Sequence, residues 1–456
     1  MGWSRGAAAV SPLDGAARAD TTPADDTGDI SRDFREVVRS ARARVFPAVV
    51  YIRAIRQAME SGRARGEEVG GSGVVVGADG EVLTNWHVID RVDQVRCLLS
   101  DGRHFKAQVL ASDADLDLAL LKLEVPEGGP DLPVAELGRS GTLEEGDFVM
   151  AMGAPWGLNR SVSVGIISCT RRYLPENSEY SLWLQTDASI SPGNSGGPLV
   201  DTDGRIVGIN TLGRTSGGDL GFAVPADTIR EVLDRMRQRH EVGWSWLGLR
   251  LQPLRDFDRD MWFEGSEGVI VASVDPGSPA EAAGIRSRDR LLTVAGAPCV
   301  GLTAEDLPTI RRRLALLPAD VPVPIEVLRG TERMSLTATP VIKGKVQGDE
   351  LECPRWGLTA KAINRFENPE LHRQRAEGVF IFGVRSPGNA ANAGFQPNDI
   401  IVEVEGRPVA TLADLEAAHT DSVRNLAQKK RVLVKLLRSG QIRQSVLDIS
   451  RDYERE

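Results

Sequence analysis

Cysteine is scarce, with four in 456 residues. Cys97, Cys169, Cys299 and Cys353 lie far apart and form no C-x-x-C pair, which excludes a compact zinc or redox motif. A disulfide framework is also excluded at this density, and each thiol is expected to be a small buried apolar residue. Long apolar runs are missing too: no stretch approaches the roughly eighteen residues that would span a membrane. Positive charge is not in excess. Lys and Arg total 55 against 64 Asp and Glu, a net charge of −9, which argues against a surface built for nucleic acid. Lysine is rare, 8 against 47 arginines, as GC-rich coding produces. There is no G-x-x-x-x-G-K-[ST] loop and no His/Cys cluster with ligand spacing, so no nucleotide or metal cofactor is expected.

What is present is length, glycine and pattern. The chain is too long for one core and calls for two to four domains, and its 47 glycines imply many turns. Residues 1–34 are rich in Ala, Asp, Gly and Thr and read as a disordered tail. Ala17-Arg18-Ala19 resembles a cleavage site, but the apolar stretch Ala7 to Val10 before it is too short for a secretory signal. Either export does not use that route or the natural start lies upstream. From Val45 to Val224 short strands alternate with Gly, Asp and Pro, the pattern of an all-β barrel or sandwich. The polar segment Gln57 to Glu68 reads as a surface loop. A helix follows, with Asp227 as its cap and Ile229, Val232, Leu233 and Met236 on one face, and then a short linker, His240 to Ser245.

The remainder repeats itself at an offset of 110 residues. Gly268-Val269-Ile270-Val271 matches Gly378-Val379-Phe380-Ile381, Ala283-Gly284-Ile285 matches Ala393-Gly394-Phe395, and Asp289 matches Asp399. Each copy continues into a helix opened by a Thr-x-x-Asp capping box, Thr303 with Asp306 and Thr411 with Asp414. The terminal strands are Ile325 to Leu328 and Val432 to Lys435.

Three segments carry candidate chemistry: Leu83-Thr84-Asn85-Trp86-His87-Val88-Ile89, Asp115-Leu116-Asp117-Leu118-Ala119-Leu120-Leu121-Lys122, and Gln185 to Pro198 around Gly193-Asn194-Ser195-Gly196-Gly197. They supply His, Asp and Ser in the order used by double-barrel serine hydrolases. A serine hydroxyl needs a base to take its proton. A histidine titrates near neutrality, and a buried carboxylate fixes its tautomer. His87, Asp117 and Ser195 are the candidates, with Asp115 the main competitor to Asp117 and Asp113 behind it. The glycine-rich turn would present the N–H groups of Gly193, Asn194 and Ser195 as an oxyanion hole.

With Gly71-Ser72-Gly73-Val74, Gly153-Ala154-Pro155-Trp156-Gly157-Leu158, Gly208-Ile209-Asn210-Thr211 and Gly221-Phe222-Ala223-Val224-Pro225, these motifs resemble the HtrA (Deg) family of serine proteases. The chain departs from the family pattern at Trp86, Arg139 and Trp156, none of them in the triad. The resemblance implies a mainly β fold, with a chymotrypsin-like double β-barrel over 35–242 followed by two α+β PDZ domains at 243–344 and 345–452. It implies endopeptidase activity on unfolded or misfolded proteins, no cofactor, a homotrimeric core and work in the periplasm or cell envelope. The other readings are a holdase-type chaperone or PDZ adaptor with weak proteolysis, and a cytoplasmic location. By the same resemblance Ile190, Asn210, Leu212 and Gly213 line the primary specificity pocket. No acid falls among them, so cleavage after small or medium apolar residues is expected. Residues 171–181 match a loop that reports PDZ or substrate occupancy to the active site. Leu247-Gly248-Leu249 and Trp356-Gly357-Leu358 look like PDZ carboxylate-binding loops. In such loops consecutive N–H groups face a peptide's C-terminus and the next strand pairs with the peptide.

Overall fold

In the computed structural model, residues 33–60, 63–155, 160–214, 220–240, 242–258, 266–344 and 348–453 are described. The expected tail 1–34 lies outside them except for its last two residues. A helix, α1 (Phe34–Val45), opens the described chain, with the Asp33 carboxylate accepting from Arg35 N–H at 3.0 Å.

Two closed six-stranded barrels follow. The first contains β1 (Val49–Glu60), β2 (Arg63–Val75), β3 (Glu81–Thr84), β4 (Val92–Leu98), β5 (His104–Asp113) and β6 (Leu118–Leu123), in the order β1-β2-β3-β6-β5-β4. The second contains β7 (Phe148–Gly153), β8 (Ser161–Tyr173), β9 (Leu182–Thr186), β10 (Pro198–Val200), β11 (Ile206–Arg214) and β12 (Leu220–Pro225), in the order β10-β11-β12-β9-β8-β7. Closure leaves no open edge, and the buried faces are short β-branched and Leu-rich runs such as Leu118 to Leu121, all fully buried. In the segment Gln57 to Glu68, expected as a loop, the described residues 57–60 and 63–68 are strand. They form the end of the β1–β2 hairpin, with Gln57 opposite Gly66 and Glu60 opposite Arg63.

Helix α3 (Ala226–Arg239) buries Ile229, Val232, Leu233 and Met236 as its periodicity predicts. Its cap position is Pro225, not Asp227. The Asp227 carboxylate instead accepts from Gly141 N–H at 2.7 Å and its own N–H donates to Ser140 Oγ, tying the helix to the second barrel. The linker after it is anchored. Trp244 is buried, stacks on Tyr180 with ring centroids 4.9 Å apart, and donates Nε1–H to Asp113 at 2.6 Å.

The repeats fold as two similar sheets, each flanked by a helix, Leu307–Ala315 in the first and Leu412–Arg424 in the second. The second helix begins with the full capping box: Asp414 N–H donates to Thr411 Oγ1 and Thr411 N–H to the Asp414 carboxylate. The matched aspartates do the same work in both copies. Asp289 and Asp399 are buried and ion-paired to Arg329 and Arg438, and each arginine also donates to the carbonyl of the matched turn glycine, Gly284 or Gly394. Cys97, Cys299 and Cys353 are buried; Cys169 on β8 is only half-buried, and all four are unpaired.

Candidate active site and peptide sites

His87 sits on α2 (Trp86–Ile89), a single turn placed directly after β3 at the seam between the barrels. Val88 and Ile89 are buried and Trp86 packs on the same core, so the turn is held by its flanks while the imidazole stays 40% exposed. Asp117 precedes β6 and adopts a left-handed backbone, φ 51°. Its carbonyl is gripped by Asn85 Nδ2 at 2.9 Å. That conformation turns its carboxylate back to His87. Oδ1 accepts from the His87 N–H at 3.0 Å, and both oxygens lie 2.9 Å from Nδ1. Oδ2 also accepts from Thr211 Oγ1. The competitors are engaged elsewhere. Asp115 pairs with Lys343 at 3.0 Å. Asp113 is held by Trp244 and Leu116 N–H, and burial, reinforced by Asp115, pushes its carboxyl up to about 7.

Ser195 joins this group through Thr211: its Oγ donates to the Thr211 carbonyl at 3.1 Å. Among the described residues no hydrogen bond joins Ser195 Oγ to His87; a hydroxyl acting on the imidazole would first have to swing away from Thr211 O. Such contacts often tighten only when substrate binds. The turn beneath it is built by glycine. At Gly196, φ 83°, a Cβ would lie 2.1 Å from Ser72 O and 2.3 Å from Thr84 Oγ1, so no side chain fits. Gly193 has φ 102°, and a Cβ there would lie 2.6 Å from Pro155 Cα. The donor set is smaller than the sequence implies. Asn194 N–H is spent on Ser191 O at 2.9 Å, closing the turn, and its Oδ1 accepts from Ser161. The Gly193 and Ser195 N–H groups donate to no described residue.

The pocket residues divide. Ile190 packs over Gly221, where a Cβ would come within 2.8 Å of Cδ1, and Gly221 is the register partner of Gly213. Leu212 pairs with Phe222 in the same ladder. The side chain of Leu212 and all of Trp156 lie outside the described residues. Asn210 does not line a pocket. Its side chain is fully buried and donates to Met152 O and Pro198 O, while its backbone pairs with Gly196 and Gly197, which places it beneath the nucleophile turn. Sequence reasoning missed Thr211 and Ser72. Ser72 lies in Gly71-Ser72-Gly73-Val74 and Thr211 in Gly208-Ile209-Asn210-Thr211, and only the chain's return across the seam shows what they touch.

The two carboxylate loops differ. Leu247 is buried in the core of the first PDZ domain, and Gly248 has φ 79°, with the place of its missing Cβ 2.2 Å from Ser278 Cβ. The strand after it, Leu249–Gln252, is the outermost of its sheet, and among the described residues no strand pairs with its far edge, although Arg311 donates to the Leu251 carbonyl at 3.4 Å. In the second domain that edge is taken. The strand Glu350–Cys353 pairs with Leu358–Ala362, Glu350 opposite Lys361 and Cys353 opposite Leu358. The N–H groups of Trp356 and Gly357 donate to Cys353 O at 3.1 and 3.0 Å. The amides expected to hold a peptide carboxylate are therefore engaged within the hairpin. Trp356 is fully buried, with Nε1–H on Ser422, and Leu358 is core. Trp356, Gly357 and Leu358 thus form a closed turn in this conformation and not an open receptor, because the preceding segment doubles back over them.

The first PDZ helix also touches the β8–β9 connection: Arg311 donates to Tyr173 OH at 2.8 Å and Arg312 to Tyr180 O at 2.7 Å.

Two closed β-barrels meeting at a His-Asp-Ser constellation define a trypsin-like serine protease, here followed by two PDZ domains. Residues 71–209 match the trypsin-like peptidase domain family, and 270–329 and 360–449 match PDZ domain families. The chain belongs to the HtrA family of DegP-like serine endoproteases. It is 34% identical over 381 residues to a probable periplasmic serine endoprotease DegP-like of Halomonas elongata, covering 81% of this chain and 77% of that protein. It is 35% identical over 384 residues to the protein of the same description in Hahella chejuensis, covering 81% and 78%. Among solved structures, the HtrA-type protease AlgW with tripeptide is similar at 33% identity and TM-score 0.59, covering 67% of this chain and 97% of that one. The serine endoprotease from Yersinia pestis is similar at 31% identity and TM-score 0.51, with the same coverage.

Proposed function

We propose that this endoprotease cleaves unfolded or misfolded proteins through an acyl-enzyme, with Ser195 as nucleophile, His87 as general base and Asp117 as the group that orients it. The observation that carries the reading is the convergence of the His87 ring and backbone N–H, and the Thr211 hydroxyl, on the one Asp117 carboxylate. That carboxylate keeps the proton on Nδ1 and leaves Nε2 free to receive the serine's. Gly193 and Ser195 N–H would stabilise the oxyanion. Ile190 over Gly221, whose register partner is Gly213, offers an apolar subsite without an acid, so Val or Ala is favoured at P1. A serine-directed phosphonate with Val at P1 is expected to label Ser195, as peptide mapping would locate, and a peptide library to be cut after Val and Ala. Preferential cleavage after Arg or Lys would overturn the pocket assignment, and labelling at another serine the nucleophile.

The first PDZ domain is the reader of substrate C-termini in this proposal, and the second is closed. In the Ser195→Ala background, fluorescence anisotropy with a labelled peptide ending in a free apolar residue should give one site per chain. Gly248→Ala forces a Cβ against Ser278 at a positive φ and is expected to weaken that site at least tenfold. Two equivalent sites per chain would show that the Glu350–Cys353 strand is displaced.

A further inference from the structure

Ser72 lies on β2, in the first barrel, yet three of the four hydrogen bonds described for it reach loops of the second. It is fully buried. Its N–H donates to Ser195 O at 2.8 Å. Its hydroxyl donates to Gly193 O at 2.5 Å and accepts from Ala154 N–H at 2.8 Å. Its carbonyl accepts from Thr84 Oγ1 at 2.7 Å, three residues before His87. One residue thus joins the strand leading to the base to the loop carrying the nucleophile.

The two carbonyls it holds belong to Gly193 and Ser195, both of whose N–H groups donate to no described residue. Fixing a residue's carbonyl fixes its ψ. With φ already set by the turn, the direction of its own N–H relative to the rest of the loop is then fixed as well. Gly193 has the greater need of this, since at φ 102° no side chain restrains it. The Ser72 hydroxyl spends its one proton on Gly193 O and a lone pair on Ala154 N–H, both partners in the second barrel. No solvent can replace it at a fully buried position.

We propose that Ser72 is a positioning residue for the oxyanion hole, holding the Gly193 and Ser195 amides in their reactive orientation from across the barrel seam. This rests on the reading of Ser195 as nucleophile with those two donors. Oxyanion stabilisation acts on the transition state and hardly on the bound substrate, so loosening it lowers kcat and leaves KM in place. A displacement of about 1 Å in such a group can cost about 10²-fold.

The test is steady-state cleavage of a chromogenic peptide by Ser72→Ala and Ser72→Thr, run well below the melting temperature of each. For Ser72→Ala, kcat is expected to fall about 10- to 100-fold with KM within about twofold. The affinity of a peptide aldehyde, whose tetrahedral adduct carries the oxyanion, should fall in parallel, while that of the matching alcohol, which forms no adduct, should hold. Ser72→Thr restores the hydroxyl and is expected to recover most of kcat. Should Ser72→Ala fail to fold, Ser72→Cys fills the same space with a poor hydrogen-bonding group and is expected to show the same split. A wild-type kcat in Ser72→Ala, a loss confined to KM, or equal weakening of aldehyde and alcohol overturns the proposal. Ser195→Ala in the same assay separates the two readings: if it is inactive while Ser72→Ala has full kcat, only the positioning role fails, and if it is active, the nucleophile assignment fails first.

Discussion

Ser195→Ala is expected to lower degradation of an unfolded protein by about four orders of magnitude or more, equivalent to at least about 5.5 kcal/mol of transition-state stabilisation. The variant should keep its fold and its peptide affinity. Ser195 Oγ makes one hydrogen bond, to the Thr211 carbonyl, and the turn around it is held by backbone contacts: Ser72 N–H on Ser195 O, Gly196 N–H on Asn210 O and Asn210 N–H on Gly197 O. Removing the hydroxyl leaves all of these in place. The residual rate would come from binding and the Gly193 and Ser195 amides. The check is release of fragments from a reduced, carboxymethylated protein, alongside a thermal melt and the peptide anisotropy measurement. Undiminished degradation with an unchanged melt would remove Ser195 from the mechanism. Suppression of aggregation by wild-type protein that never cuts would favour the holdase reading.

The loss is confined because the site is assembled from distant pieces, and that also decides what could be read in the sequence. His87, Asp117 and Ser195 stood in local motifs whose residue types announce their chemistry, and the Val232, Leu233 and Met236 face of α3 announced itself by period. The matched Asp289 and Asp399 appeared through repetition alone. Residues 57–68 were misread because a polar hairpin pairs through its backbone and shows no apolar alternation. The strand Glu350–Cys353 was missed because four residues ahead of a turn carry too little pattern, although pairing with Leu358–Ala362 changes what the second PDZ domain can bind. Asn210 was placed in the pocket by its neighbours in the motif, whereas the shift in pairing between β11 and β12 just beyond it separates it from Leu212. Thr211, Ser72 and Trp244 act through partners 94, 121 and 131 residues away. No sequence period encodes those contacts; they exist only once both barrels have closed.

Asp117→Asn is expected to lower kcat by about 10⁴ near neutral pH with little change in KM, through the tautomer of His87. The wild-type carboxylate meets three donors: the His87 N–H, the His87 Nδ1–H and the Thr211 hydroxyl. An amide has one acceptor oxygen in place of two. If that oxygen stays with the His87 N–H, the new NH₂ replaces Oδ2 and faces both Thr211 and Nδ1. The threonine hydroxyl can rotate away. Nδ1 lies 2.9 Å from both positions, and the NH₂ faces it without a clash of donors only when Nδ1 accepts, which moves the ring proton to Nε2. A protonated Nε2 in a neutral ring cannot take the proton from Ser195. If the amide turns over, its NH₂ opposes the fixed backbone N–H of His87, a clash of donors that α2 cannot relieve, because Val88 and Ile89 are locked in the core. Thr211→Val removes one donor and leaves the carboxylate on His87, so it is expected to cost about tenfold or less. The measurement is kcat and KM for both variants on one peptide, with the nitrogen-15 chemical shifts of His87 reporting the tautomer. An Asp117→Asn variant within tenfold of wild type, or one that loses activity while Nδ1 keeps its proton, would rule out the orienting role assigned to Asp117.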